Sequence, residues 1–157
     1  MSETVSRRDS PSEAAAASTG RRVLVVDDHP DVRAMFSLAL SQAGMRVLTA
    51  SDGHDALELI ERDLQQAQEA GRRPTVALIV LDLMMPDVNG FDVVEALQQR
   101  SETAVIPIIV VTANQITPED RAKLNGFVAT IMEKGEFDRA RFTTEVRRAM
   151  SGRRAAD

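Results

Sequence analysis

The sequence predicts an α/β fold, a single doubly wound domain around a five-stranded parallel sheet. Two apolar runs end abruptly in carboxylates: Ala77-Leu78-Ile79-Val80-Leu81 leads into Asp82, and Val23-Leu24-Val25-Val26 leads into Asp27-Asp28. Short continuous apolar runs of this kind mark strands buried on both faces, as parallel sheets require. Between and after them, apolar strand runs alternate with amphipathic helical runs, the pattern of βαβ units.

The elements follow in order. Residues 1–20 are rich in Ser, Ala, Arg and Glu without apolar periodicity, and read as a disordered tail. The folded domain is expected over 21–151, with 152–157 as a short tail. The first strand covers about 22–27. A helix begins at Pro30, a residue suited to a first turn, with Val32, Phe36, Ala39 and Ala43 on one face and Gly44 as its stop. Strand two is about 45–50. The second helix starts after Asp52, carries Ala56, Leu59, Ile60, Leu64 and Ala67 on one stripe, and runs to about Ala70, long for a connector.

Strand three is 76–82, after which Pro86, Asp87, Asn89 and Gly90 break the chain into a loop. The following helix holds Val93, Val94 and Leu97. Strand four spans Ile106 to Thr112. Thr117-Pro118-Glu119-Asp120 reads as a helix start, with a Thr cap, Pro in the first turn and acids near the positive end. Strand five is placed at Phe127 to Glu133. The last helix takes Asp138 as its cap, with Phe137 and Phe142 set to form a hydrophobic staple, and should end near Met150.

Composition narrows the function classes. A net charge of -5 disfavours nucleic acid as the main partner. The absence of cysteine excludes disulfides and thiol chemistry, and two histidines are too few for most histidine-based metal sites. His29, beside the acidic pair, is read as a solvated loop residue rather than a ligand. No apolar run approaches the length of a membrane span, and no hydrophobic signal core opens the chain, so a cytoplasmic address without membrane insertion is expected.

Four of the five strands end in a side chain with chemistry: Asp27-Asp28, Asp82, Thr112 and Lys134. In open α/β sheets such strand ends converge at the edge where ligands bind. Together they suit phosphoryl transfer to a carboxylate. Two acids can hold Mg2+ through oxygen, the ion and the lysine ammonium can neutralise phosphoryl oxygens, a third carboxylate can attack phosphorus, and a threonine hydroxyl can donate to the arriving group.

These residues make the chain similar to the receiver domains of two-component response regulators, from about Arg22 to Met150. The motifs are Val-Val-Asp-Asp (25–28), Leu-Asp-Leu-Met-Met-Pro-Asp-Val-Asn-Gly (81–90), Val-Val-Thr-Ala (110–113) and Glu-Lys (133–134). The resemblance implies a flavodoxin-like sheet in the order 2-1-3-4-5. It implies that Asp82 accepts a phosphoryl group from a histidine kinase or a histidine phosphotransfer protein. Asp28, Asp82 and the backbone carbonyl of Met84 would ligate Mg2+ directly, with Asp27 acting largely through water. Lys134 would pair with the phosphoryl group, Thr112 would swing toward it, and small Ala113 would leave access open. The side chains two positions beyond the acceptor and the threonine, Met84 and Asn114, would tune water attack, and Met84 predicts slow autodephosphorylation.

Three departures stand out. Ile131 occupies a position that is usually aromatic and rotates with the threonine. Gly135 replaces the usual proline after the lysine. The interval from Asp28 to Asp82 is longer than in chemotaxis-type receivers, with the excess in the second helix and its following loop. The stretch 124–135 looks more like receivers attached to hybrid histidine kinases, which favours a phosphorelay over transcription.

The expected function is therefore that of a stand-alone phosphoryl-accepting switch, not a turnover enzyme. It would signal to an unidentified protein through helix four, strand five and helix five. A haloacid-dehalogenase-like hydrolase would need a second Asp at position 84, where Met stands. A flavodoxin would need a Ser/Thr/Gly-rich phosphate loop and stacking aromatics, and the chain has no Trp or Tyr. A receiver-like module that binds partners without phosphorylation is the remaining alternative.

Overall fold

The structure, a computed structural model, describes residues 21–113 and 115–156, with side chains through Ser151. Five strands, β1 (Arg22–Val26), β2 (Arg46–Ala50), β3 (Val76–Asp82), β4 (Ile108–Thr112) and β5 (Thr130–Glu133), form one sheet in the order β2-β1-β3-β4-β5. All neighbours run parallel. Alternate side chains of each strand enter opposite layers. Leu24, Val26, Ile79, Leu81, Ile108 and Val110 pack on one side, and Val23, Val25, Leu78, Val80, Ile109 and Val111 on the other.

The first layer is closed by α2 (Gly53–Ala70), α3 (Gly90–Gln98) and α4 (Pro118–Leu124), the second by α1 (Pro30–Gln42) and α5 (Arg139–Ala156). Every residue of β3 is buried, as its continuous apolar run requires.

Capping fixes most helix starts. The Asp52 side chain accepts from Asp55 N, and Thr117 from Asp120 N at 3.0 Å. Asn89 and Asp92 form a reciprocal capping box. Asp138 Oδ1 accepts from Ala140 N at 2.9 Å, and the Phe137 and Phe142 rings sit 5.5 Å apart as the expected staple. Phe36 joins them from α1, 4.9 Å from Phe142, which ties the first helix to the last.

Four boundaries differ from the sequence reading. β4 begins at Ile108 rather than Ile106, after Pro107, which has no N–H to give a ladder. β5 begins only at Thr130, because Gly126 turns the chain at φ 87 and leaves Phe127 46% exposed. A one-turn helix at Ser101–Ala104 lies between α3 and β4. The final helix runs to Ala156, beyond the end expected near Met150, with Arg153, Arg154, Ala155 and Ala156 as helix formers that outweigh Gly152. The proposed N-terminal tail (1–20) lies outside the described residues.

One buried charge went unread in the sequence. Asp63 lies on the apolar stripe of α2, 4% exposed. Its carboxylate accepts from Thr75 N (2.8 Å), Thr75 Oγ1 (2.7 Å) and Val76 N (3.0 Å), and Arg22 approaches it at 3.7 Å. A buried carboxylate is tolerated when its lone pairs are filled in this way. The contact fastens the long second helix to the start of β3, at the end of the sheet opposite Asp82.

Candidate functional site

Strand register brings the chemical residues together. Val26 pairs with Leu81, Asp82 with Val111, and Thr112 with Glu133. Asp27, Asp82, Thr112 and Lys134 therefore occupy neighbouring positions along one edge of the sheet. Asp27, Asp82 and Thr112 are buried, at 1%, 2% and 1% exposure.

Lys134 reaches into this edge from the residue after β5. Its Nζ lies 2.8 Å from Asp27 Oδ2 and 3.4 Å from Asp82 Oδ2. Asp82 Oδ1 accepts the Met84 N–H at 3.1 Å, which starts the turn out of β3. Ala113 is exposed just beyond β4, and the Met84 side chain is exposed over the loop. Asn114 lies outside the described residues.

The acids are short of donors. Asp27 Oδ2, Asp28 Oδ1 and Asp82 Oδ2 are buried oxygens that make no hydrogen bond, so ion pairs are all that faces them. Burial pushes the Asp82 carboxyl above its ordinary value. The Met84 N–H opposes that rise, the Asp27 charge adds to it, and Lys134 opposes it. Three carboxylates against one ammonium leave two negative charges, the deficit a divalent cation fills. Oxygen donors of this kind suit Mg2+, and Asp27, Asp28 and Asp82 are the residues that fit it.

Three contributors were missed or underrated in the sequence. Arg33, one turn into α1, donates to the Asp27 carbonyl at 2.7 Å and pins the turn after β1. Gly90 is required by close approach: a Cβ there would lie 2.6 Å from both the Asp82 carbonyl oxygen and Leu83 Cα. His29 is exposed but not merely solvated, since its Nδ1 lies 3.2 Å from both Asp27 Oδ1 and Asp28 Oδ1. Its place directly after two acids was the available signal.

Ile131 pairs with Val110 and is half-buried against the α2–α3–α4 layer. Beside it, between α4 and α5, a cleft of about 110 Å³ is lined by Ile116, Arg121, Glu133, Glu136 and Arg141. Phe127, the nearest upstream aromatic, is exposed in the turn before β5, where it cannot take the place of a ring at 131.

Comparison with known proteins agrees with this geometry. The family described as response regulator receiver domain matches residues 23–147. The chain is 40% identical over 106 residues to the alkaline phosphatase synthesis transcriptional regulatory protein SphR of Synechococcus elongatus, covering 68% of this chain and 39% of that one. It is 39% identical over 99 residues to the probable transcriptional regulatory protein TcrX of Mycobacterium tuberculosis, covering 63% and 36%. The chain thus spans less than two-fifths of the length of either relative.

Among solved structures, chemotaxis protein CheY4 of Vibrio cholerae is 30% identical with a TM-score of 0.63, covering 82% of this chain and 98% of that one. A sensor protein from Polaromonas sp. JS666 is 28% identical with a TM-score of 0.69, covering 85% and 98%. Chains named for transcription, chemotaxis and sensing share this domain, so the leaning toward a phosphorelay over transcription gains no support from the two regulators.

Proposed function

Since the chain belongs to the response regulator receiver domain family of two-component systems, we propose that Asp82 is its phosphoryl acceptor and that the domain signals by phosphorylation-dependent protein contact. The observation that carries this reading is the trio Asp27, Asp28 and Asp82, the first and last almost fully buried and Asp28 half-buried, with Lys134 facing Asp27 and Asp82.

An Asp82 carboxylate oxygen attacks the phosphorus of a phosphohistidine on a histidine kinase or phosphotransfer protein. The P–N bond breaks, its electron pair stays on the imidazole, and a proton from solvent leaves that ring neutral. Burial of Asp82 removes competing water from the nucleophile, and Lys134 stands ready to pair with the negative oxygens as they arrive. When bound by Asp27, Asp28, Asp82 and the Met84 carbonyl, Mg2+ supplies the remaining charge neutralisation. Thr112, buried at the end of the adjacent strand, donates its hydroxyl to the acyl phosphate in this reading.

The readout surface is the face formed by α4, β5 and α5, where Arg121, Glu133, Glu136 and Arg141 flank the cleft beside Ile131. Isoleucine carries no ring to rotate with Thr112, so the change passes through the threonine and the β4–α4 loop. Met84 has no group that orients an attacking water, which favours a long-lived acyl phosphate. A cytoplasmic setting, without nucleic-acid contact by this domain, goes with the reading. No helix among the described residues is long and apolar enough to cross a membrane.

Incubation with acetyl phosphate and Mg2+, read by intact mass, tests the proposal. One phosphoryl group should be gained, and the gain should vanish with EDTA or in Asp82→Asn. Folded protein that gains nothing would point instead to an interaction module independent of phosphorylation.

A further inference from the structure

Gly53 opens α2, and nothing in its own backbone asks for glycine. Its φ is not positive, unlike those of Gly44, Gly71 and Gly126, and helix propensity favours almost any other residue. What excludes a side chain is the neighbour. A Cβ at position 53 would lie 2.4 Å from the Val88 carbonyl oxygen, 2.7 Å from Val88 Cγ1 and 2.9 Å from Val93 Cγ2. The bare backbone at the start of α2 is therefore seated directly on Val88.

Val88 stands six residues after Asp82, in the loop that leads from β3 to α3. The base of that loop is closed by the Gly90 N–H, which donates to the Leu83 carbonyl at 3.0 Å. Inside it, Met84 gives its N–H to Asp82 Oδ1 at 3.1 Å and Met85 is buried in the core. Asp87 is held at φ 63, the one positive φ outside glycine among the described residues. Such a conformation costs energy and persists only where the surroundings enforce it. The seat of Val88, the next residue, on Gly53 supplies that enforcement from another part of the chain. The Asp52 side chain accepts from Asp55 N at 2.7 Å, which fixes where α2 begins and so where the seat lies.

We propose that Gly53 is a positioning residue for phosphoryl transfer. By admitting Val88 against the start of α2, it sets the 84–88 loop so that Met84 meets Asp82. This rests on the reading of Asp82 as the acceptor. A methyl group at 53 displaces Val88, and a loop closed at its base passes that displacement on to Met84.

On the full chain, Gly53→Ala should accept a phosphoryl group from acetyl phosphate about tenfold more slowly at saturating Mg2+. The Met84 amide resonance of the metal-free protein should shift, which a loss of stability alone does not cause. Adding Val88→Ala removes Cγ1 and gives the new methyl room, so the pair should recover at least about half of the lost rate on a logarithmic scale. Val88→Ala alone shortens a half-buried side chain, should fold, and should shift the same resonance. A folded Gly53→Ala chain with an unchanged rate, or a slow one that Val88→Ala leaves unimproved, would overturn the proposal alone. So would an unmoved Met84 amide in Val88→Ala, the outcome that decides if Gly53→Ala does not fold. No phosphoryl gain by the unaltered chain would overturn the acceptor reading, and the proposal with it.

Discussion

Lys134 pairs first with Asp27, at 2.8 Å, and only second with Asp82, at 3.4 Å. The cation of the site is thus held beside the acceptor rather than on it. Lys134→Met removes the one lysine ammonium that faces the trio among the described residues and leaves the buried Asp27 and Asp82 carboxylates uncompensated. The variant should lose about 2–3 kcal/mol of stability to urea without metal. Added Mg2+ should restore part of it, while the gain of a phosphoryl group from acetyl phosphate falls sharply.

Asp82 gives a pH signature in chelator. Its carboxyl is raised above the ordinary value of 3.8, chiefly by burial. The folded chain keeps that proton at pH values where the unfolded chain has released it. The stability it contributes is fully present below the ordinary value and is lost as pH rises through the raised one. Asp82→Asn should therefore flatten the fall in stability as pH rises above the ordinary carboxyl value and be the more stable protein once the raised one is passed. Urea midpoints of the two chains across that range decide it, and parallel profiles would contradict it.

At the far end of the sheet, Asp63→Ala strands the Thr75 and Val76 N–H groups. The loss should be about 2–4 kcal/mol by chemical denaturation. Phosphoryl acceptance by the folded fraction should stay unchanged, because Asp63 serves the start of β3 and Asp82 its end.

Gly90→Ala tests the close approach behind the acceptor. The added methyl meets the Asp82 carbonyl and Leu83 Cα at 2.6 Å, both backbone atoms that cannot turn aside. A cost of about 1–3 kcal/mol is expected, with slower phosphorylation, since the loop that positions Asp82 must shift. Unchanged stability and rate would show that the loop has slack.

The strands and most helix caps were legible because they rest on local signals, whereas the strand order followed from the resemblance to receiver domains. The run through β3, the acids after β1 and the Thr117-Pro118 start each declare themselves within a few residues. The site was legible for the same reason, since parallel strands carry their last residues to one edge. What escaped depends on contacts far apart in sequence. Asp63 sits on a helical stripe that reads as apolar, and its partners Thr75 and Val76 lie a loop away. His29 reads as a loop residue until its ring is seen turned onto two carboxylates. The start expected for β5 at Phe127 comes three residues early, because the positive φ of Gly126 turns the chain first.

The central claim is that Asp82 alone carries the phosphoryl group. Chain treated with acetyl phosphate and Mg2+ would be reduced with borohydride, which converts an acyl phosphate to the alcohol, and then digested and sequenced by tandem mass spectrometry. The account predicts homoserine at position 82 and nowhere else. Homoserine at Asp27 or Asp28, or none in a folded and metal-loaded chain, would contradict it.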